Sequence, residues 1–239
     1  MKDSEYIVSL TSHKTRVPYV LTALGDILED PRFKVVLTLF EEDLQYIDPA
    51  LSAAIDEGNI ELITTDVDYG SHKKYLFTFE RYKDKPIITI DDDCYYTVEA
   101  LNDLLGMYSS HKNCICARTI QRIRFKEFQE VAPLETWRLM EGVYVPPSEL
   151  NMAIGYGGVL YPPGILSISP EEALTCISDD VFLKSKEIQR GIQTCGVPSK
   201  RLTAIDDDEV KSLAKYPKVN YQEAVDQFQE LFQSVAYKF

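Results

Sequence analysis

The stretch Ile87-Ile88-Thr89-Ile90-Asp91-Asp92-Asp93 is a short run of apolar and β-branched residues that ends in three consecutive carboxylates. A run of this composition, opened by Pro86, predicts a buried β-strand. Three adjacent negative charges directly after a buried strand repel one another unless something neutralises them. We therefore interpret the stretch as a strand with a candidate cation-binding site at its carboxyl end.

The segments around this strand alternate between strand-like and helix-like patterns. Strands are predicted at residues 6–11, 34–40 and 60–65, and helices at residues 18–28, 44–57, 73–82 and 98–108. This order predicts an α/β fold with a mostly parallel central sheet, right-handed crossovers and helices on both faces. Ligands of such sheets bind outside the carboxyl ends of the strands, where the acidic triplet is expected to lie.

The second half of the chain has weaker patterns. Residues 114–125 predict one or two strands, residues 133–140 a helix and residues 153–161 a glycine-containing strand, with short helices at 169–176 and 180–190. Five apolar residues near the end recur on one helical face and are expected to pack on the core: Tyr221, Val225, Phe228, Phe232 and Val235. Because no internal repeat or long linker is present, we expect residues 1–239 to form one domain.

Composition and charge exclude several classes of function. The formal net charge is −13, whereas proteins that bind a nucleic-acid backbone need a basic surface. No apolar run is long enough to span a bilayer, and residues 1–5 lead into no apolar signal-peptide segment. Five cysteines without zinc-finger spacing are typical of free thiols in a reducing compartment. We therefore expect a cytoplasmic protein that does not bind nucleic acid.

The acidic triplet has the chemistry of a site for a hard divalent cation. Mg²⁺ or Mn²⁺ takes one or two carboxylates, and phosphate oxygens and water fill the remaining positions. If the strand continues through the triplet, Asp91 and Asp93 point to the same side. The alternative is that the triplet caps a helix beginning near Thr97 and favours its dipole. A second triplet, Asp206–Asp208, opens a polar stretch, and we interpret it as a solvated helix start.

A second acidic motif, Ser178-Asp179-Asp180, follows the glycine-rich segment Gly155-Tyr156-Gly157-Gly158. A carboxylate at the start of a helix can act as general base toward a sugar hydroxyl, and glycines permit close approach of the backbone to a ligand. Ser-Asp-Asp is equally well suited to cap a helix. The pattern alone leaves both interpretations open.

Basic residues follow two of the predicted strands: His13, Lys14 and Arg16 after the first, and His72, Lys73 and Lys74 after the third. Both groups lie at strand ends, so they either face phosphates beside the triplet or form solvated surface. The single tryptophan, Trp137, stacks on a sugar or belongs to the core.

Five segments occur in order along the chain: 7–16 (IVSLTSHKTR), 71–75 (SHKKY), 88–93 (ITIDDD), 157–163 (GGVLYPP) and 176–183 (CISDDVFL). Together they resemble bacterial glycosyltransferases of the GT-A fold that build surface polysaccharides. The resemblance covers roughly residues 6–190. It implies a GT-A-like (Rossmann-like) fold, with a nucleotide-binding half at about 1–112, an acceptor-side half at about 113–200 and a helical tail at about 201–239.

The same resemblance implies roles for individual residues. Asp93 would be the main metal ligand, with Asp91 as a second ligand that also lies against the nucleoside, and with Asp92 beside them. Asp179 and Asp180 look like the acidic pair of inverting members, whose second member is the base. Four further residues would border the nucleotide: Thr11, Arg16, Asp66 and Lys73.

One departure from the family concerns the metal. Many metal-dependent members supply a later histidine to it, and no histidine follows His111 here. Mn²⁺ or Mg²⁺ would then be held by the triplet, the donor diphosphate and water.

The resulting prediction is a metal-dependent, inverting glycosyltransferase with Asp180 as general base. It would move a sugar from a nucleotide-sugar donor to a glycan or lipid-linked acceptor. UDP is the expected nucleotide because it is the commonest one in such enzymes. Peripheral association with the inner face of the membrane and the oligomeric state are left open. Two alternatives remain: a haloacid-dehalogenase-type phosphatase using Asp91 and Asp93, and a non-catalytic nucleotide- or sugar-binding partner.

Overall fold

The computed structural model describes residues 4–127, 130–205 and 221–236. Its central element is an eight-stranded sheet whose first half is parallel. The parallel strands are β1 (Tyr6–Thr11), β2 (Phe33–Phe40), β3 (Ile60–Thr65) and β4 (Ile87–Thr89). They lie in the order β3-β2-β1-β4, so β1 is hydrogen-bonded on both sides. Buried, β-branched runs such as Ile7–Leu10 are typical of parallel strands covered on both faces.

The remaining strands are shorter. They are β5 (Cys94–Tyr95), β6 (Ile115–Ala117), β7 (Thr119–Arg122), β8 (Arg138–Glu141), β9 (Val145–Ser148), β10 (Asn151–Ala153), β11 (Val159–Tyr161), β12 (Thr194–Gly196) and β13 (Thr203–Ala204). The large sheet continues from β4 through β11, β6, β12 and β9. β11 is antiparallel to both β4 and β6, whereas β6 and β12 are parallel. β10-β7-β8 and β13-β5 form two small separate sheets.

The helices are α1 (Val20–Leu24), α2 (Pro49–Asp56), α3 (Lys73–Arg81), α4 (Val98–Ser110), α5 (Pro170–Ala173), α6 (Asp179–Gln189), α7 (Tyr221–Gln227) and α8 (Gln229–Ala236). Several begin at a side-chain cap. Asp48 accepts from the N–H of Leu51, and Thr97 accepts from that of Ala100. These bonds satisfy backbone donors that the first helical turn leaves free.

Each face of the sheet carries a hydrophobic core. One core contains Ile7, Tyr75 and Phe182, and the other contains Val8 and Leu101. Neighbouring residues of β1 point into opposite cores, as the pleat of a strand requires. Helices therefore cover both faces, and the predicted α/β class with a mostly parallel sheet is confirmed.

Four predicted elements are wrong in detail. Residues 18–28 contain only one short α-helix, α1, which ends before Gly25 with its φ of +51°. Residues 44–57 are not one helix, because Pro49 lacks a backbone N–H and starts α2 after a separate 3₁₀ turn, Glu41–Tyr46. Residues 133–140 are not a helix: a short turn leads into β8, which pairs with β7. Residues 153–161 are not one strand: Ala153 ends β10, a 3₁₀ turn over Gly155–Gly157 follows, and Gly158, with its φ of +89°, leads into β11 in a different sheet. In the last two cases pairing between strands outweighs the local pattern.

The apolar face near the C-terminus packs on the core, as predicted. Phe232 and Val235 of α8 are fully buried, and the Phe232 ring lies 6.0 Å from that of Trp137. Trp137 is itself buried and donates from Nε1 to the carbonyl of Ala132 at 2.8 Å. It is therefore a core residue and not a stacking platform for a sugar. Among the described helices, none is long and apolar enough to cross a bilayer.

Candidate active site

The acidic triplet lies just beyond the carboxyl end of β4, next to the end of β1. The strand itself ends at Thr89, so the condition under which Asp91 and Asp93 would point to the same side is not met. The three carboxylates instead turn to different partners. Each partner defines a different part of the candidate site.

Asp92 anchors the loop that follows β1. Its Oδ2 accepts a hydrogen bond of 2.5 Å from Ser12 Oγ, and its Oδ1 is paired with the guanidinium of Arg16. Burial raises the pKa of Asp92 to about 6, against the opposing effect of Arg16. Because both oxygens are engaged within the protein, Asp92 orients Arg16 and is the least available of the three for an external cation.

The loop after β1 is held in an unusual backbone conformation. Lys14 has a φ of +46°, a region that non-glycine residues rarely adopt. Its N–H donates to Asp43 Oδ1 at 2.9 Å, and His13 Nδ1 lies 3.5 Å from Asp43 Oδ2. Asp43 is buried in the 3₁₀ turn that follows β2 and was not among the predicted site residues. The strained backbone places Arg16 beside the triplet, with its Nε buried and unpartnered among the described residues.

Asp93 has an oxygen free to bind a ligand. Its Oδ1 is buried and has no hydrogen-bond partner within the described residues, while Oδ2 lies 3.5 Å from Arg16 Nη2. A buried carboxylate oxygen without a partner fits the ligand set of Mg²⁺ or Mn²⁺. The described residues contain no group of three or more His, Cys, Asp or Glu side chains that could hold a metal alone. Other ligands would have to come from a substrate and water.

Lys74 joins the triplet to the second acidic motif. Its Nζ donates to Asp91 Oδ1 at 2.7 Å and lies 2.8 Å from Asp179 Oδ2. Burial by itself would lower the pKa of Lys74, but Asp179 and Asp91 outweigh burial and hold the pKa well above its usual value. The lysine was predicted to face phosphates or solvent. It faces carboxylates instead, so that interpretation is corrected.

The acidic pair lies at the start of α6. The side chain that caps this helix is Ser178. Ser178 Oγ accepts from the N–H of Val181 at 3.3 Å. Asp180 has a different partner, because its Oδ1 accepts from the N–H of Gly155 at 3.0 Å. Asp180 is therefore not the residue that caps this helix.

The two carboxyl groups of the pair have opposite tendencies to hold a proton. Burial alone would raise the pKa of Asp179, yet Lys74 outweighs burial and lowers it. Burial and the neighbouring charge of Asp179 raise the pKa of Asp180 well above its usual value. Two adjacent carboxyl groups whose pKa values diverge are typical of acid–base sites.

His72 has a structural role at this junction. Its Nε2 lies 2.7 Å from the carbonyl of Cys176, and its Nδ1 is bonded to the hydroxyl of Tyr75. A carbonyl only accepts, so Nε2 carries the proton and Nδ1 accepts from Tyr75. Burial lowers the pKa of His72, in keeping with a neutral ring. The prediction that His72 faces phosphate or solvent is therefore corrected.

Three predicted donor-binding residues make no hydrogen bond or ion pair with the triplet among the described contacts. Thr11 Oγ1 donates to the carbonyl of Thr38 at 2.7 Å, Asp66 is exposed, and Lys73 pairs with Asp68. Their assignment to a nucleotide remains a prediction. Arg16, in contrast, contacts both Asp92 and Asp93.

Two further residues complete the junction. Tyr96 is buried, and its hydroxyl accepts from the N–H of Asp91 at 3.2 Å and donates to the carbonyl of Tyr156 at 2.6 Å. A Cβ at Gly155 would lie 2.6 Å from Lys74 Nζ, so a side chain there would displace the lysine. The glycine-rich run signalled Gly155 in the sequence, whereas nothing local signalled Tyr96.

A cavity of about 380 Å³ borders Cys94, the residue that follows the triplet. Its wall includes Cys94, Glu141, Tyr156 and Gly157, together with Thr119, whose buried Oγ1 has no hydrogen-bond partner in the described chain. Burial raises the pKa of Cys94 to about 12, which keeps this thiol protonated. The wall of the cavity therefore offers both neutral and charged polar groups.

Comparison with known proteins gives a likeness of fold. No protein-family model and no curated protein matches the sequence. The structure of 4-diphosphocytidyl-2C-methyl-D-erythritol synthase matches with a TM-score of 0.53 and 13% identity, over 89% of this chain and 97% of that one. S. aureus TarS 1-349, solved in complex with UDP-GlcNAc, matches with a TM-score of 0.54 and 12% identity, over 87% of this chain and 61% of that one.

These two matches share one architecture with this chain. The protein has the Rossmann-like, GT-A-like fold. At 12% and 13% identity, the likeness carries no residue assignments, and those rest on the site geometry above.

Proposed function

We propose that this protein is a metal-dependent glycosyltransferase that uses a nucleotide-sugar donor, with UDP as the nucleotide. The observation that carries the proposal is that Lys74 pairs with both Asp91 of the triplet and Asp179 of the acidic pair, just beyond the carboxyl end of β4. A glycosyltransferase needs a place for the diphosphate and a base for the acceptor, and these two acidic motifs supply one each. The TarS structure with UDP-GlcNAc supports a UDP-sugar for this fold.

The donor would be held by residues on both sides of the triplet. Asp93 offers its free oxygen to Mn²⁺ or Mg²⁺, with Asp91 as the second candidate ligand. When bound, the metal would neutralise charge on the leaving nucleoside diphosphate. Arg16 lies 3.5 Å from Asp93 Oδ2 and is placed to contact the same phosphates. Thr11, Asp66 and Lys73 are proposed to border the nucleotide.

Asp180 is the proposed general base. It accepts the proton of the acceptor hydroxyl while that oxygen forms a bond to the anomeric carbon. The bond from the anomeric carbon to the phosphate oxygen breaks, and the electron pair leaves with the nucleoside diphosphate. Attack opposite the leaving group inverts the anomeric centre. The raised pKa of Asp180, caused by burial and Asp179, moves this carboxyl toward the range of an effective base.

The acceptor is proposed to be a glycan or a lipid-linked sugar. A cytoplasmic location is part of the proposal, with peripheral contact to the inner face of a membrane where the acceptor is lipid-linked. The net charge of −13 disfavours simple electrostatic docking to anionic lipid, so such contact would depend on the acceptor itself.

Nucleotidyl transfer is a second candidate, because a synthase named for a diphosphocytidyl product shares this fold. Transfer of a nucleotide to a phosphate acceptor needs no base for a sugar hydroxyl. The position of Asp180, held by Gly155 and free of a capping role, therefore favours glycosyl transfer.

Thermal denaturation with UDP, UDP-GlcNAc and CTP, each with and without Mn²⁺, tests the proposal. We expect stabilisation by UDP and UDP-GlcNAc that depends on Mn²⁺, followed by slow release of UDP from the sugar nucleotide. Stabilisation by CTP alone would favour nucleotidyl transfer. Binding of UDP-GlcNAc without any hydrolysis or transfer would favour the non-catalytic binder, and phosphate release from simple phosphomonoesters would favour the phosphatase.

A further inference from the structure

Lys74 contacts carboxylates from two motifs that lie far apart in the sequence. Its Nζ lies 2.7 Å from Asp91 Oδ1, beyond the end of β4, and 2.8 Å from Asp179 Oδ2, at the start of α6. The lysine side chain is 5% exposed, so water screens these two interactions poorly. The ammonium group therefore forms a bridge between the two acidic motifs.

The surroundings of this ammonium are tightly constrained. Gly155 packs so closely that a Cβ there would lie 2.6 Å from Lys74 Nζ and 3.3 Å from Asp180 Oδ1. The same glycine donates its N–H to Asp180. Three carboxylates and one backbone segment thus converge on a single positive charge. Removal of that charge would leave Asp91 and Asp179 buried without compensation.

We propose that Lys74 is a positioning residue that acts as a built-in cation, holding the triplet and the acidic pair together in the arrangement that a bridging metal ion would otherwise impose. It fixes Asp179 directly, and through the packing around Gly155 it fixes the place of Asp180. The role assigned to Asp180 rests on the proposed function, whereas the bridging role of Lys74 does not.

The bridging role of Lys74 can be tested without any substrate. In Lys74→Met the side-chain stem is retained, but Asp91, Asp179 and Asp180 lose their counter-charge. Oxygen ligands lie about 2.3–2.6 Å from Ca²⁺, slightly less than the present distances from Nζ. The space that Nζ vacates is then large enough for a divalent cation, and the carboxylates of Asp91 and Asp179 around it would attract one from solution.

The experiment compares the melting temperatures of wild type, Lys74→Met and Lys73→Met in CaCl₂ and in MnCl₂, with EDTA as reference. Lys73 is the matched control, because it is the buried neighbour but pairs with Asp68, outside the acidic cluster. In EDTA, Lys74→Met is expected to melt below wild type. At a cation concentration a hundredfold above its dissociation constant, its melting temperature should rise by about 5–10 °C. Wild type and Lys73→Met should respond much less.

A folded Lys74→Met that gains no more from Ca²⁺ or Mn²⁺ than Lys73→Met does would overturn the proposal. If Lys74→Met folds only when refolded with a cation, that result supports it. If it folds under neither condition, Lys74→Met with Asp179→Asn decides the matter. Removal of one uncompensated carboxylate should restore a folded protein. If the double variant folds no better than Lys74→Met alone, the bridging role is contradicted.

Failure of the proposed function would look different. Wild type would then bind no UDP with Mn²⁺, while the cation response of Lys74→Met would be unaffected. A second readout follows if donor binding is found. Lys74→Met should lower the rate of transfer much more than the affinity for UDP, because the residue positions the acceptor-side pair.

Discussion

The backbone N–H of Ile205 donates a hydrogen bond of 2.8 Å to the carbonyl of Asp93. Just before it, β13 pairs with β5, the two residues that follow the acidic triplet. The segment leading toward the second triplet, Asp206–Asp208, is thus attached to the first. Asp206–Asp208 itself lies outside the residues that the structure describes, so its interpretation as a solvated helix start remains a prediction.

Asp93→Ala is expected to leave the fold intact and to abolish metal-dependent donor binding. The substitution removes the buried oxygen that lacks a partner, whereas the backbone bond to Ile205 is retained. Calorimetry with UDP and Mn²⁺ measures the effect. Unchanged affinity in the variant would refute the metal assignment.

Asp207→Ala is the comparison for that experiment. Because we interpret the second triplet as solvated, this variant should change stability only slightly and leave activity within a few-fold. A loss of donor binding equal to that of Asp93→Ala would mean that the wrong acidic cluster, or half of the site, has been assigned.

Asp180→Asn separates chemistry from binding. The amide keeps the size of the carboxylate and an oxygen that can accept from Gly155, but it cannot take a proton from the acceptor. General-base contributions are about 10² to 10⁴ in rate, so transfer should fall by that factor while donor affinity barely changes. Steady-state kinetics, or donor hydrolysis until an acceptor is known, provides the measurement. Near-normal transfer would move the assignment to Asp179, and loss of donor binding would place Asp180 in the nucleotide site.

Gly155→Ala tests the packing at the junction. The new methyl group would lie 2.6 Å from Lys74 Nζ, so the lysine must move away from Asp91 and Asp179. We expect a lower melting temperature and a decrease in transfer of about ten- to a hundredfold, because small displacements of catalytic groups have effects of that order. Differential scanning calorimetry and the transfer assay measure the two effects.

Gly106→Ala is the matched control for this substitution. Gly106 lies within α4, and beyond the backbone of its own helix no heavy atom of the described residues lies within 4 Å of an added Cβ. Alanine there should stabilise the protein by about 0.5–1 kcal/mol and leave transfer unchanged. Equal behaviour of the two variants would show that the space around Gly155 is less restricted than its contacts indicate.

Glu61→Gln tests an ion-pair cluster remote from the site. Glu61 Oε2 lies 2.5 Å from Lys34 Nζ and accepts from Tyr82 at 2.6 Å. Burial alone would raise the pKa of Glu61, but Lys34 and Tyr82 outweigh burial and lower it. A lowered carboxyl pKa stabilises the fold above the unfolded pKa of about 4.3, and this stabilisation is lost as pH falls through the folded-state pKa.

Glu61→Gln should therefore have a lower melting temperature than wild type at pH 7. This difference in melting temperature should disappear as the pH is lowered toward 3. Glu80→Gln, at an exposed position, should show little difference from wild type at any pH. If the difference in melting temperature between Glu61→Gln and wild type does not change with pH, the charge of Glu61 does not contribute to stability.

Much of the fold could be predicted from local patterns. β3 has the predicted limits, residues 60–65, and α3, α4 and α6 lie within one or two residues of theirs. The failures occur where local signals are weak or compete. Pro49 divided a predicted helix, and Gly158 separated residues 153–161 into strands of two sheets. Short strands such as β8 depend on a partner strand that a local pattern does not contain.

The sequence by itself determined that a buried strand leads into Asp91–Asp93, that a helix begins close to Asp180, and that glycines precede that helix. These are local properties, because they depend on side chains within one turn or one strand. Only the tertiary structure decided which charges meet. Lys74 was one of six basic residues near strand ends, and nothing in its neighbours distinguished it. Its contacts with Asp91 and Asp179 arise because α6 begins beside the carboxyl end of β4. Long-range charge pairing of this kind follows from topology and burial.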